Sequence, residues 1–121
     1  MLVRVSRFIR VRATFLESRT GEPLHGVGCS VRLYDMDPLQ DDLLGEGTFI
    51  GQGVVEVLFS LSATSSLDSP GEILPDLYLV LYDGPRQIFR TPVTLNVAIP
   101  VKELFTQEVA SMVDLGVFRV P

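Results

Sequence analysis

The strongest constraint on this chain is a two-residue rhythm. Ile9, Val11, Ala13 and Phe15 alternate with Arg10, Arg12 and Thr14. The rhythm returns at Val27, Cys29, Val31 and Leu33, at Val55, Val57 and Phe59, and at Val93, Leu95, Val97 and Ile99. Successive side chains of a strand point to opposite faces, so this spacing builds half-buried strands with one apolar side. Ten glycines and eight prolines punctuate the 121 residues, as short strands joined by turns require.

The remaining segments extend the same scheme. Leu77 to Tyr82 is apolar on both faces and predicts a central strand covered on both sides. The turn Asp83 to Arg86 leads into residues 87–91, and together they predict a hairpin. Thr48 to Gly53 reads as a second turn, and Ser60 to Glu72 as a long serine-rich loop. After Pro100, Val101, Leu104, Phe105, Val109 and Met112 recur at helical spacing, so a short helix is predicted over residues 101–112. Leu115 to Val120 predicts the closing strand. The expected architecture is one all-β domain over residues 1–121, a Greek-key β-sandwich of about seven strands with one short helix near the C-terminus.

Charge narrows the function classes. The net charge is −5, and it is unevenly spread. Residues 1–32 carry six arginines against Glu17 and Glu22, while the rest carries four cations against thirteen acids. An acidic chain lacks the clustered positive charge that nucleic acid or an anionic membrane needs, so neither is expected as a partner. Arg10 and Arg12 share one strand face without interleaved aromatics for base stacking. They read as an edge strand guarded by charge, with an anion contact as the functional alternative.

Cys29 is the sole cysteine, which excludes an internal disulfide and a cysteine-based zinc site. Its place in an alternating strand reads as small core packing. His25 is the sole histidine, and no Gly-x-Ser-x-Gly elbow, phosphate loop or dinucleotide fingerprint occurs. Residues 1–16 are interrupted by arginine too often for a signal peptide. No run approaches the roughly 18 apolar residues of a membrane span. The product as written is expected to be soluble and cytoplasmic.

One stretch carries a family likeness. It comprises Thr20-Gly-Glu-Pro-Leu24, then Gly26-Val27, then Val31-Arg-Leu-Tyr-Asp-Met-Asp37, then Asp41-Asp-Leu-Leu-Gly-Glu-Gly-Thr48. A later Pro75-Asp-Leu-Tyr-Leu79 leads to Tyr82-Asp-Gly84. Over about residues 9–120 the chain resembles the transthyretin-like family, which includes secreted nematode proteins and bacterial domains. More distantly it is similar to the sandwich domains appended to carboxypeptidases. The resemblance implies the sandwich fold and a homo-oligomer joined through edge strands. Where the family commonly has Thr-Asp, this chain has Thr48-Phe49, and the matching turn glycine is Gly53. One branch of that fold, 5-hydroxyisourate hydrolase, uses two histidines, an arginine and a C-terminal Tyr-Arg-Gly-Ser. This chain has His25 alone and ends Val117-Phe-Arg-Val-Pro121, so that activity is not expected.

The acidic run is the one cluster of ion-binding type. Asp35, Asp37, Asp41 and Asp42, followed by Glu46, offer the hard oxygens that calcium takes in sets of about six to eight. An EF-hand would need glycine at Gln40, and Leu39 occupies a ligand position. The run is also similar to a loop of the calcium-dependent phospholipid-binding domains of protein kinase C and synaptotagmin. In those the matching loop lies late, whereas here only about 34 residues, a segment of net positive charge, precede it. The structural alternative is that the aspartates cap loop backbone.

The expected function is a non-enzymatic binding or assembly module, with a protein partner or a second copy. The alternatives are a calcium-binding sandwich that recruits an anionic partner through residues 35–46, and a small hydrolase using the loop aspartates. No cofactor is expected apart from calcium.

Overall fold

The computed structural model describes residues 8–60, 75–97 and 111–121. Seven strands run through them: β1 (Phe8–Glu17), β2 (Cys29–Asp35), β3 (Asp42–Phe49), β4 (Val54–Ser60), β5 (Leu77–Asp83), β6 (Arg86–Arg90) and β7 (Ser111–Val120). They form one sheet in the order β6-β5-β2-β3-β4-β1-β7. Neighbours are antiparallel except β1 and β7, which are parallel.

The period-two pattern decides which face is buried. Ile9, Val11, Ala13 and Phe15 of β1, Val31 and Leu33 of β2, Val55, Val57 and Phe59 of β4, and Leu77, Leu79 and Leu81 of β5 all join one core. A flat sheet would leave that face wet, so the sheet curls. Phe15 shows the result: its ring lies 6.1 Å from Phe49 of β3, 6.1 Å from Phe89 of β6 and 5.9 Å from Phe118 of β7. Strands β6 and β1 are separated by four others in the hydrogen-bonded order, yet their aromatic rings meet edge to face.

The bend is made at β3. Gly47 pairs with Val31 on one side and Val57 on the other, which places it on the core face. A Cβ there would run into the Glu56 carbonyl. Glycine therefore lets β4 lean across β3 where any side chain would hold the strands apart.

Several expectations are corrected. The segment from Asp42 to Phe49 is a strand rather than loop and turn. It hides its period because glycines stand at core-face positions 45 and 47, and only Leu44 and Phe49 carry apolar side chains to the core. Val27 is 95% exposed rather than inward, since the ladder begins only at Cys29. The alternation expected from Val93 to Ile99 does not make a strand over its described part, residues 93–97: Pro92 stands before it, Leu95 is exposed, and Asn96 takes a positive φ of 53°. This segment trails along β5 through a single bridge, Leu77 to Thr94. The helix predicted over 101–112 lies mostly outside the described residues, but Ser111 and Met112 begin β7. Strand β5 is covered on both faces as expected, although it sits next to the edge rather than centrally. Strand β1 is not an edge strand, because β4 and β7 flank it.

Phe15 is fully buried at the meeting point of both arms, so Phe15→Ala is expected to cost about 3–5 kcal/mol. Leu58→Ala, at a half-exposed outer position, is expected to stay within about 0.5 kcal/mol. Urea denaturation of the two variants checks the contrast, and equal losses would contradict the closure described.

Candidate functional site

The acidic run divides between three settings. Asp35 closes β2 on its core side and is only 8% exposed. Asp37 and Asp41 bracket a short loop at the end of the hairpin. Asp42 opens β3 and pairs with Asp35 across the ladder.

Most of these carboxylates are already engaged. Asp35 Oδ1 accepts the Asp76 N–H at 3.2 Å. Asp37 Oδ1 accepts the Leu39 N–H at 3.1 Å, the local aspartate turn that such loops use. Asp41 Oδ1 accepts the Asp37 N–H at 3.1 Å, and its Oδ2 accepts the Tyr78 hydroxyl. Asp76 completes the set by accepting the Asn96 N–H at 2.9 Å. Among the described residues, no group of three or more acidic, histidine or cysteine side chains converges as a metal site would require. The aspartates stitch the loop, the start of β5 and the 91–97 segment together through backbone donors, and no metal-dependent step is derived from them.

Protonation follows these contacts. Burial raises the Asp35 pKa, against a lowering by the Asp76 N–H, and the nearby carboxylates Asp42, Asp76 and Asp37 raise it further. Asp41 is lowered, first by the Tyr78 hydroxyl and then by the Asp37 N–H. Tyr78 is pushed up to about 12, by burial first and by its bond to Asp41 next. It remains a neutral donor throughout the physiological range.

Tyr78 also anchors an aromatic stack on the outer face. Tyr34 stacks on it at 5.2 Å with 13° between the rings. The Arg90 guanidinium lies 4.1 Å from the Tyr78 ring centroid, within cation–π range. Beside them, Arg32 sits 4.9 Å over Tyr82 and pairs with Glu46 at 2.9 Å.

The arginine strand is neutralised in place. Arg10 and Arg12 each hold one oxygen of Glu56 on β4, at 2.9 and 3.0 Å. The anion contact considered for them would have to displace that carboxylate. Cys29 is half-buried against the core, and burial, then Asp83, raises its thiol pKa. A raised pKa suppresses the thiolate that nucleophilic chemistry needs. His25 is exposed.

Sequence reasoning missed the outer margin of the sheet. Among the described residues the two edges of the sheet are β6 and β7, and they are unlike. Strand β6 spans five residues, bears Arg86 and Arg90, and continues into proline. Strand β7 spans ten residues, with Met112 48% and Val117 62% exposed on its outer face. Its period is broken in the sequence by Leu115-Gly116, which hid its length. The signal available was Val113, Phe118 and Val120, which become its inward residues on either side of that break.

Neither a protein-family model nor a curated protein matches the chain. Among solved structures it is similar to a 9R-lipoxygenase from Cyanothece PCC8801, with a TM-score of 0.57 at 18% identity. The likeness covers 95% of this chain and 17% of the lipoxygenase, so the chain spans about a sixth of that protein. Identity this low carries the fold alone.

A carboxyl whose pKa is raised on folding contributes stability fully below its unfolded value, and loses it as pH rises through the folded one. Asp35→Asn keeps an acceptor for the Asp76 N–H and removes the buried charge. The variant is expected to match the parent at acid pH and to melt higher once the carboxylate has ionised. Thermal unfolding at a series of pH values checks this, and a lower melting temperature at neutral pH would contradict it. Calcium at a hundred times its dissociation constant would stabilise a binding protein by about 2.7 kcal/mol. With the carboxylates engaged as described, the melting temperature is expected to be the same in excess calcium as in magnesium.

Proposed function

We propose that the chain is a non-enzymatic binding or assembly module on a transthyretin-like Greek-key sandwich. Support for the fold reading comes from the glycine, proline and aspartate pattern between Thr20 and Thr48, and from the curled all-β sheet in which β1 lies beside β4. No lipoxygenase chemistry is carried over from a neighbour that shares only a fold-level likeness.

The observation that carries the function is the free edge of β7. One side of this strand pairs with β1, and no other strand among the described residues pairs with its second side. A long edge presents a row of backbone donors and acceptors to any extended segment that arrives. Proteins that bind this way take affinity from main-chain hydrogen bonds and specificity from alternate side chains. Met112 and Val117 supply apolar contacts on the outer side of that edge. The short, arginine-bearing β6 offers much less.

The test is a displayed library of extended peptides selected on the immobilised protein. Recovered ligands are expected to bind the parent and to lose binding to Val117→Lys, which sets a charge on the edge without touching the core. Ligands that bind both proteins equally, or a selection without ligands, would overturn the reading.

A further inference from the structure

The bulge in β7 decides what an added strand would have to carry. Arg12 of β1 pairs with Asp114 and Thr14 with Val117, so β7 uses one more residue than β1 over the same stretch. The extra residue falls at Leu115-Gly116, where Gly116 adopts a φ of 104° that L side chains rarely take. The Asp114 carboxylate braces the turn by accepting the Gly116 N–H at 2.8 Å. In a regular strand Asp114 and Val117, three apart, would point to opposite faces. Here Met112, Asp114, Val117 and Arg119 are all exposed on the outer face, while Val113 and Val120 are buried on the inner one. Strand β1 shows how a regular strand lies against this series. Its Arg10, Arg12, Thr14 and Leu16, at steps of two, face Met112, Asp114, Val117 and Arg119 in turn.

We propose that the free side of β7 takes an extended segment of another protein, antiparallel, whose alternate side chains run acidic, apolar, basic, apolar. This rests on the reading of β7 as a recognition edge and names the chemistry of its occupant. The acidic residue lies opposite Arg119, the basic one opposite Asp114, and the apolar ones opposite Val117 and Met112. Opposite charges placed directly across two strands favour a register, and like charges oppose it. Among the described residues neither Asp114 nor Arg119 has an ion-pair partner within the chain, so both can meet an incoming strand. Arg12, which faces Asp114 from the β1 side, is held by Glu56. Sliding the segment by two residues would set its acid against Val117 and its base against Met112, and both charges would lose their partners. Sliding it by one would turn all four side chains to the other face. Antiparallel pairing is the more stable direction, and it puts the acid ahead of the base in the segment's own sequence. The main chain supplies affinity in such pairing, and the alternate side chains supply selectivity.

The experiment is fluorescence anisotropy of short labelled peptides titrated with the full chain. The first peptide carries glutamate, valine, lysine and valine at alternate positions, with threonine between them. The second exchanges the glutamate and the lysine. The parent is expected to bind the first about tenfold more tightly than the second. Arg119→Glu, with circular dichroism confirming that it is folded, is expected to weaken binding of the first peptide by a similar factor. A third peptide, with lysine in place of the glutamate, is expected to restore binding to that variant, and Arg119→Lys is expected to behave like the parent. Equal binding of the first two peptides, a preference for the exchanged order, or an Arg119→Glu variant that binds the first peptide as the parent does overturns the proposal. So does a dimer, seen by light scattering, that the first peptide fails to dissociate, since a second copy would then hold the edge. Library ligands that are lost on Val117→Lys yet carry no such order of charges overturn the charge order and leave the recognition edge standing. No library ligand and no binding of the designed peptides overturns both.

Discussion

Closure of the sheet on itself is the constraint that everything else follows. Seven strands with one apolar face each cannot be stable as a flat layer, because half of the apolar surface would remain in water. The aromatic cluster around Phe15 is where the two arms of the sheet meet. Phe89 arrives from one edge and Phe118 from the other, and Phe49 comes from β3 at the bend. The glycine at 47 makes this geometry reachable, since it removes the side chain that would keep β4 away from β3. With the apolar face turned inward, Asp35 at the end of β2 stays on the core side, while Arg10, Arg12, Arg32, Glu46 and Glu56 fall on the outer face. There the charges neutralise one another, Arg10 and Arg12 on Glu56 and Arg32 on Glu46. Exposed pairs of this kind contribute little stability each. Their effect is to neutralise part of the arginine excess of residues 1–32 within the sheet itself.

How much was legible follows the side chains. Strands β1, β2, β4 and β5 announce themselves because their core positions carry Val, Leu, Ile or Phe at every second residue. Strand β3 does not, because Gly45 and Gly47 occupy those positions and Asp42 and Glu46 stand beside them. Composition there imitates a loop, and only the tertiary approach of β4 explains why glycine is required. The reverse error occurs at Val93, Leu95 and Val97. Their alternation is clean, but Pro92 cannot donate to a ladder and Asn96 turns the backbone into the left-handed region. The expected total of about seven strands therefore stands beside a different membership, with one strand gained and one lost. Local pattern reports which residues prefer an extended chain, and neighbours decide whether a ladder forms.

The acidic loop makes the same point for function. From sequence, four aspartates close together read as either ion ligands or loop caps, and residue type cannot separate the two. In the structure the carboxylates differ in direction. Asp35 turns toward the core and the start of β5, Asp37 turns back on its own loop, and Asp41 reaches across to Tyr78. Carboxylates that each serve a different donor hold segments together and do not converge on a point. Tyr78 was visible in the sequence as one of three tyrosines, but its partner was not, since 37 residues separate it from Asp41.

The edges of the sheet are where structure and function touch most directly. A curled sheet that stops short of closing in its hydrogen bonding keeps two margins, and each must be protected or used. Strand β6 is protected by brevity, arginine and a following proline. Strand β7 is twice as long and carries a bulge, a device that often spoils edge pairing by twisting the strand away. Here the bulge has a second consequence. By shifting the phase once, it brings Asp114 and Arg119 to the outer face at an odd spacing and leaves Val113 and Val120 on the inner one.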